Sequence, residues 1–375
     1  MKFDLDAVII EQDERDSPLA RRVLAALAPG VPVQYVADGR EAARPRPGAD
    51  PFGAGKRRMV LLRRRAPFLM GCPAGSAQFA CCGYQVMILA SNCPMDCSYC
   101  FLQEFVADNP AFQVYSNYSA AFDEIDRMIH SAPARQFRIG TGELADSLAF
   151  DTLTGLTRDL VPFFAARQTV TLELKTKTDE IDHLLELDPR GRVMVSWTLS
   201  PERVWRTCEH RAAPPAARIA AARKVLEAGY RVAFHFDPIL AYDGAERDYA
   251  ALIDNLLDVI APARIAFFSM GGLRMTPALK SAARRRFPAD PMLLGEDVLA
   301  RDGRLRAFTP LRLRLYRILA ERFERAGAPV PGYLCMEAPS VHERVFGATP
   351  PNPATLGARL AHGRSPVDAP KDSRQ

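Results

Sequence analysis

The sequence lacks the long apolar segments that would place a protein in or across a membrane. No apolar run in its 375 residues reaches the about 18 residues that a transmembrane helix needs. The stretch from Met1 to Ser17 carries charges every few positions and has no apolar core of the kind found in secretory signal peptides. We therefore expect a cytoplasmic protein without a membrane partner.

A large excess of one charge is also missing. The 49 basic and 44 acidic residues leave a net charge of only +5, so overall charge does not identify a partner. The basic residues nevertheless form three short runs, Lys56–Arg58, Arg63–Arg65 and Arg284–Arg286. These runs could contact the phosphates of DNA or another nucleic acid, or they could be solvated strand ends and helix faces.

The cysteines are the most informative residues. Eight cysteines in a chain without a secretion signal argue against a disulfide framework. Cys93, Cys97 and Cys100 lie in one short stretch, whose intervening Pro, Asp and Ser favour a loop. No fourth Cys or His follows at the spacing of a zinc finger, which argues against a closed structural zinc site.

The chain from Tyr84 onward alternates between strand-like and helix-like patterns. The predicted strands are Tyr84–Ala90, Phe137–Gly140, Val170–Leu174, Val193–Leu199, Arg231–Phe236 and Arg264–Ser269. The predicted helices are Ala120–His130, Thr152–Ala166, Glu180–Leu187, Pro215–Ala228, Tyr249–Ile260 and Pro277–Arg286. This alternation predicts an α/β fold, a partial (βα)6 barrel with a parallel sheet and right-handed crossovers.

Shorter segments flank the predicted barrel. We expect a small N-terminal α/β segment over residues 1–83, the barrel over 84–290, a basic C-terminal helical extension over 291–346 and a disordered tail over 347–375. The extension is built on a basic helix predicted over Arg306–Ala326, and the tail is rich in proline and polar residues.

Polar residues stand near the ends of successive predicted strands, where βα barrels place their active sites. The cysteine loop directly follows the first strand. The candidates on the later strands are Gly142, Glu143, Lys177, Ser196 and Asp237. A polar face on several strands indicates a barrel filled by a ligand, although any one of these residues could instead be a satisfied buried hydrogen-bonding group.

The C-x3-C-x2-C spacing, with Tyr99 before the last cysteine, resembles the signature of the radical S-adenosylmethionine (SAM) superfamily. The resemblance implies a [4Fe-4S] cluster held by Cys93, Cys97 and Cys100, whose open iron binds SAM and reduces it to methionine and a 5'-deoxyadenosyl radical. It also implies that Gly142 and Glu143 hold the amino group of SAM. An electron donor such as flavodoxin or ferredoxin would then be a partner.

Further motifs are similar to those of the spore photoproduct lyase and DNA-repair-photolyase-like family. They are Cys97–Gln103, Ile181–Leu185, Arg218–Lys224, Ala228–Tyr230 and Asp237–Ile239. The resemblance implies that Lys177, Ser196 and Asp237 belong to the SAM site and that Tyr99 lies close to it. It implies a lyase that reverses a methylene-bridged thymine dimer in DNA, with Glu143 and Tyr99 in the catalytic site.

The sequence departs from the family pattern at two positions. Glu143 stands where the family has the cysteine that returns a hydrogen atom, and Phe101 stands where a tyrosine is expected. The cysteines that could substitute are Cys72, Cys81, Cys82 and Cys335. Two alternatives stay open: a radical SAM enzyme acting on a small molecule, peptide or RNA, and a non-catalytic iron–sulfur redox or binding protein.

Overall fold

An eight-stranded sheet organises the computed structural model, which describes residues 4–72, 79–327 and 330–362. Seven of its strands are mutually parallel, and we number them β1 to β7 along the chain. They are Gln85–Met87, Phe137–Gly140, Val170–Thr176, Val193–Thr198, Arg231–Ile239, Ile265–Gly272 and Gly332–Leu334. The spatial order of the strands follows their order in the chain, as in an incomplete barrel.

The six predicted barrel strands are confirmed, and the sheet extends beyond them at both edges. Gly332–Leu334 adds the parallel strand β7 beside β6. Leu69–Gly71 pairs with β1 in the antiparallel direction. Because β1 to β7 run in one direction, their carboxyl ends all lie at the same edge of the sheet.

Helices connect most of the barrel strands as predicted. They are Ala120–Ser131, Thr157–Ala165, Pro215–Glu227, Ala245–Val259 and Pro277–Arg286. The helix predicted over Thr152–Ala166 is split, because Gly155 adopts a left-handed φ of 58° between Asp151–Thr154 and Thr157–Ala165. Among the described residues, no helix combines the length and apolar composition needed to cross a bilayer.

The helix predicted over Glu180–Leu187 is wrong. The structure has only a single 3-10 turn there, Asp182–Leu184. The connection between β3 and β4 spans residues 177–192 and contains Pro189, which disfavours helical backbone in the residue before it. The apolar residues of this segment still pack against the barrel, since Ile181 and Leu184 are buried.

A second sheet takes three strands from the chain before the barrel and two from between the first two barrel strands. Its strands in spatial order are Val33–Val36, Ala7–Glu11, Arg58–Leu62, Phe112–Tyr115 and Ala90–Ser91. The last two come from beyond residue 83, on either side of the cysteine loop. The loop therefore lies where the chain passes from one sheet to the other, and the predicted boundaries 1–83, 84–290, 291–346 and 347–375 stay predictions.

The segment after β6 forms a small sheet and further helices. Arg274–Met275, Val298–Leu299 and Leu305–Arg306 pair in the antiparallel direction. The predicted basic helix is present over Thr309–Arg325, and Pro339–Phe346 follows β7.

The prediction of a disordered tail from residue 347 is wrong for Pro353–His362, which is a helix. Leu356 and Leu360, four residues apart, are buried against the barrel. The backbone carbonyl of Ala361 accepts hydrogen bonds from Thr171 Oγ1, at 3.3 Å, and from Arg231. The remaining tail, 363–375, lies outside the described residues.

Apolar and polar residues alternate along the barrel strands, so that one face of each strand packs in the core and the other faces the candidate site. Leu172 and Leu174 on β3 and Val195 and Trp197 on β4 are fully buried and belong to the main hydrophobic core. The opposite faces of the same strands carry Glu173 and other polar residues. The polar faces of the strands therefore line the interior of the barrel, as the sequence predicted.

We expect Gly332→Ala to lower the free energy of unfolding by about 1–3 kcal/mol, because the added methyl group would overlap a neighbouring side chain and strain both strands. A Cβ at Gly332 would lie 2.4 Å from the Phe268 ring of the neighbouring strand. The control is Gly71→Ala at the opposite edge of the sheet, where no described atom lies within 4 Å of the added Cβ. Urea denaturation measures both; equal stabilities would contradict the packing argument.

Candidate active site

A cavity of about 570 Å³ opens at the carboxyl ends of the barrel strands. Cys93, Cys97 and Cys100 all line it. The other predicted site residues that line it are Tyr99, Gly142, Glu143, Lys177 and Asp237. The structure therefore brings together every predicted site residue except Ser196.

A buried lysine holds the cysteine loop in place through hydrogen bonds. Lys56, which is 1% exposed, donates from Nζ to the carbonyl oxygens of Cys93 and Met95, both at 2.8 Å, and to Asn92 Oδ1 at 3.3 Å. Asn92 has a left-handed φ of 68° and turns the chain into the loop. One ammonium group thus replaces the backbone hydrogen bonds that a loop of this shape cannot make internally.

The helix Pro277–Arg286 holds the other side of the loop. The Arg286 guanidinium donates to Asp96 at 3.0 Å, to Asp50 at 2.8 Å and to Gln103 Oε1 at 2.8 Å. Lys56 and Arg286 come from two of the three basic runs that could have been phosphate contacts. Both are engaged inside the protein, so those runs only partly face solvent.

The thiols fit a cluster better than a single ion. Burial raises the pKa of Cys93 to about 12 and that of Cys97 still higher, so both are neutral thiols without metal. Within the described ranges, no three His, Cys, Asp or Glu side chains converge as one metal ion requires. Three thiols that each bind a different iron of a cluster need not converge, and these three line one cavity.

Tyr99 is part of a buried network around Glu209. The Tyr99 hydroxyl and the Ser200 hydroxyl both donate to Glu209 Oε1. Arg218, fully buried, pairs with Glu209 Oε2. Lys177 Nζ lies 3.9 Å from Glu209 Oε1 and 5.5 Å from the centre of the Tyr99 ring. Tyr99 of the cysteine loop and Lys177, which follows β3, are therefore both positioned by the Glu209 carboxylate.

The charged groups around Glu209 lower the pKa of its carboxyl group. Burial alone would raise the pKa of this carboxyl group, but Arg218 and Lys177, together with hydrogen bonds from Tyr99 and Ser200, lower it to about 2. Sequence reasoning missed Glu209, whose neighbours in the chain carry no motif. Arg218, which begins one of the family-like motifs, was the signal that could have led to it.

The floor of the barrel has a second buried carboxylate, Glu173. It accepts from Arg138 at 2.5 Å and from Ser196 Oγ at 2.7 Å, and its Oε1 lies 2.7 Å from His235 Nε2. Burial would raise the pKa of Glu173, but Arg138 and His235 hold it well below its ordinary value. Ser196 is thus committed to Glu173 beneath the cavity, while Thr198, next on the same face, lines the cavity.

The rim of the cavity carries two ion pairs. Lys175 Nζ lies 3.7 Å from Glu143 Oε2, and Arg274 pairs with Asp237 at 3.1 Å. Gly142 packs so tightly on β3 that a Cβ there would lie 2.5 Å from Lys175 Cβ. Glu143 is consequently an ion-paired carboxylate close to the wall, where an ammonium group of a ligand could approach it.

Three further cysteines also line the cavity, namely Cys72, Cys82 and Cys335. Cys82 Sγ accepts a hydrogen bond from Arg138 at 2.8 Å. Cys81, beside it in the chain, is not among the lining residues. The sequence had left the roles of these thiols open, and the structure separates Cys81 from the other three.

Comparison with known proteins identifies the same family along most of the chain. The sequence model of the spore photoproduct lyase family matches residues 54–304. A spore photoproduct lyase from Geobacillus sp. (strain Y412MC61) is 28% identical over 240 residues, which cover 64% of this chain and 68% of the relative. The enzyme from Bacillus subtilis (strain 168) is 26% identical over 211 residues, covering 56% of this chain and 61% of that one.

Solved structures share the fold. A spore photoproduct lyase mutant with bound AdoMet (SAM) and dinucleoside spore photoproduct superposes with a TM-score of 0.77 at 22% identity, covering 89% of this chain and 99% of that one. A spore photoproduct lyase complexed with dinucleoside spore photoproduct gives 0.78 at 20% identity, covering 89% and 100%. The incomplete barrel therefore has the same fold as these spore photoproduct lyase structures.

We expect Lys56→Met to lower the free energy of unfolding of the cluster-free protein by about 1–3 kcal/mol, because buried carbonyls lose their donor. Iron content after reconstitution should fall as well, since the loop that carries Cys93 is no longer held. Lys224→Met, at an exposed position of the helix Pro215–Glu227, is the control. If both variants matched the unsubstituted protein in stability and iron content, Lys56 would not be holding the loop.

We expect Glu209→Gln to destabilise the protein at pH 7 by about 3–5 kcal/mol, because it leaves the buried Arg218 charge uncompensated. The folded pKa of Glu209, about 2, lies below its ordinary value of 4.5. Its ionisation therefore stabilises the fold above pH 4.5, and this contribution disappears as the pH falls toward 2. The difference between the two proteins should shrink over that range in urea denaturation.

The exposed pair of Arg223 and Glu227 provides the matched control. Glu227→Gln should cost no more than about 0.5 kcal/mol at any pH, because solvent screens the pair. A pH-independent difference between Glu209→Gln and the unsubstituted protein would contradict the assigned ionisation.

Proposed function

The chain belongs to the spore photoproduct lyase family, and on that premise we propose that it is a radical SAM lyase that repairs a thymine-dimer lesion in DNA. The observation that carries the proposal is the common cavity. It joins the cysteine triplet to the polar strand ends that the family resemblance assigns to SAM. A purely structural cluster would not need a cavity of this size, lined by charged side chains such as Glu143 and Lys177, beside it.

We propose that Cys93, Cys97 and Cys100 hold a [4Fe-4S] cluster and that SAM binds between the cluster and β2 and β3. When bound, these two groups supply one-electron cleavage of the sulfonium and hydrogen-atom abstraction from the substrate. Lys177 suits the carboxylate of SAM, because it is the cation beside Tyr99 and the cysteine loop. Glu143 suits its ammonium group.

Exposed aromatic residues at the cavity support a nucleic-acid base as substrate. Phe101 and Phe105 line the cavity, are 37% and 54% exposed, and have ring centres 5.9 Å apart. Bases stack on exposed aromatic rings without regard to sequence. Arg65, Arg284 and Arg285, the outward members of the basic runs, are exposed and available to phosphates.

A low-potential electron carrier of the flavodoxin or ferredoxin class is the proposed partner, because cleavage of SAM consumes an electron that this chain does not generate. A reducing cytoplasm is the proposed location. None of the eight cysteines, all of which lie in the described ranges, forms a disulfide, and thiolate-bound clusters need reducing conditions.

One observation favours a different substrate for the same chemistry. Glu143 occupies the place where the family resemblance expects a thiol, and it is ion-paired with Lys175. A carboxylate cannot return a hydrogen atom. If no other residue does so, a small molecule, peptide or RNA that needs no such donor would be the alternative substrate.

The test is anaerobic reconstitution with iron and sulfide, followed by dinucleoside spore photoproduct, SAM and dithionite. We expect 5'-deoxyadenosine and the repaired thymine dinucleoside, and Cys97→Ala should lose both together with its iron. Cys81→Ser, which changes a thiol outside the cavity, is the control. Formation of 5'-deoxyadenosine without any change in the dinucleoside would favour the alternative substrates.

A further inference from the structure

Repair of a bridged thymine dimer leaves one base as a carbon radical that must gain a hydrogen atom. The donor needs an X–H bond weaker than the C–H bond that forms, and a thiol S–H satisfies this condition. Glu143 does not, because its carboxylate is paired with Lys175 at 3.7 Å. The question rests on the proposed function, and it asks which residue of this chain supplies the atom.

The cavity offers three thiols outside the cysteine loop: Cys72, Cys82 and Cys335. Cys82 Sγ accepts from the Arg138 guanidinium at 2.8 Å. Its sulfur is thus held by a buried guanidinium that also pairs with Glu173 at the floor of the barrel. Cys72 follows the antiparallel strand Leu69–Gly71, and its backbone N–H donates to the carbonyl of Tyr84 at 3.1 Å, at the amino end of β1.

Cys335 is held rigidly at the cavity edge. It directly follows β7, so it lies at the carboxyl edge shared by all the barrel strands. Its backbone N–H donates to the carbonyl of Met270 on β6 at 2.7 Å. The next residue, Met336, turns with a left-handed φ of 55°, and its carbonyl accepts from Arg306 at 2.8 Å. The backbone on both sides of Cys335 is thus fixed, and its side chain lines the cavity.

The surroundings of Cys335 keep its hydrogen. Burial and then the nearby Asp237 carboxylate raise the pKa of Cys335 well above its ordinary value. Arg274, which acts in the opposite direction, is already paired with Asp237 at 3.1 Å. Cys335 therefore stays a neutral thiol at physiological pH.

A second feature of the same cavity points to a polar ligand. Tyr84 lines the cavity and is 7% exposed, yet its hydroxyl has no hydrogen-bond partner among the described residues. A buried donor without a partner costs free energy, so such groups usually meet a ligand or water. A base or sugar oxygen of the substrate would satisfy it.

We propose that Cys335 is the hydrogen-atom donor of this enzyme, the catalytic thiol that takes the place of the family cysteine replaced here by Glu143. The S–H bond of Cys335 breaks and the methyl C–H bond of the repaired thymine forms. The thiyl radical left on Cys335 returns to the thiol with one electron from the flavodoxin- or ferredoxin-class donor and one proton from solvent. Each repair event then consumes one SAM and two electrons.

The test follows deuterium from solvent into the product. The reconstituted enzyme is exchanged into D2O, where the thiol becomes S–D, and is given dinucleoside spore photoproduct, SAM and a chemical reductant. We expect one deuterium in a thymine methyl group of the product. Cys335→Ser and Cys335→Ala should lose this label and most of the repaired product, while substrate-dependent formation of 5'-deoxyadenosine persists.

The controls separate Cys335 from its neighbours and from the proposed function. Cys81→Ser should keep the label. Full labelling in Cys335→Ser, loss of the label in Cys82→Ser alone, or unlabelled product from the unsubstituted enzyme would each overturn the assignment to Cys335. Iron content and SAM binding show whether a variant has folded. If a variant has not folded, labelling of the product by the unsubstituted enzyme still tests whether the donated hydrogen atom comes from a group that exchanges with solvent. No repaired product at all would overturn the proposed function as well.

Discussion

The site depends on the compensation of two carboxylates buried inside the barrel. Glu173 and Glu209 are each about 1% exposed, and a charge so far from water must be paired and hydrogen-bonded. The partners of Glu173 come from β2, β4 and β5. Those of Glu209 include Tyr99 of the cysteine loop and Lys177 after β3. The same electrostatic requirement therefore aligns the strands and docks the loop on them.

The cysteine loop has its own supports, which come from distant parts of the chain. Lys56 binds it from the turn before the strand Arg58–Leu62, and Arg286 from a helix after β6. Both are members of basic runs, yet their charges act inside the protein. A run of basic residues thus combines two roles here, because neighbouring side chains on a strand or helix point in different directions. The outward members, such as Arg65 and Arg285, keep their availability to phosphates.

Much of the fold could be predicted because its elements are strongly patterned. Each barrel strand is a short apolar run, and the helix Pro277–Arg286 was predicted at its observed ends. The errors have local causes. Around Asp182–Leu184 only a 3-10 turn forms, and Pro189 downstream disfavours helical backbone in the residue before it. Pro353–His362 has too few apolar residues to predict a helix alone, but burial of Leu356 and Leu360 against the barrel stabilises one.

The sequence by itself determined the cysteine triplet, the strand order and the edge at which the chemistry takes place, since these depend on residues close together in the chain. Only the tertiary structure decided that Ser196 donates a hydrogen bond to Glu173, that Tyr99 donates one to Glu209 and that Cys335 lines the cavity. Tyr99 and Glu209 are 110 positions apart. Pairings at such separations arise from strand register and charge burial, for which a single sequence has no local signal.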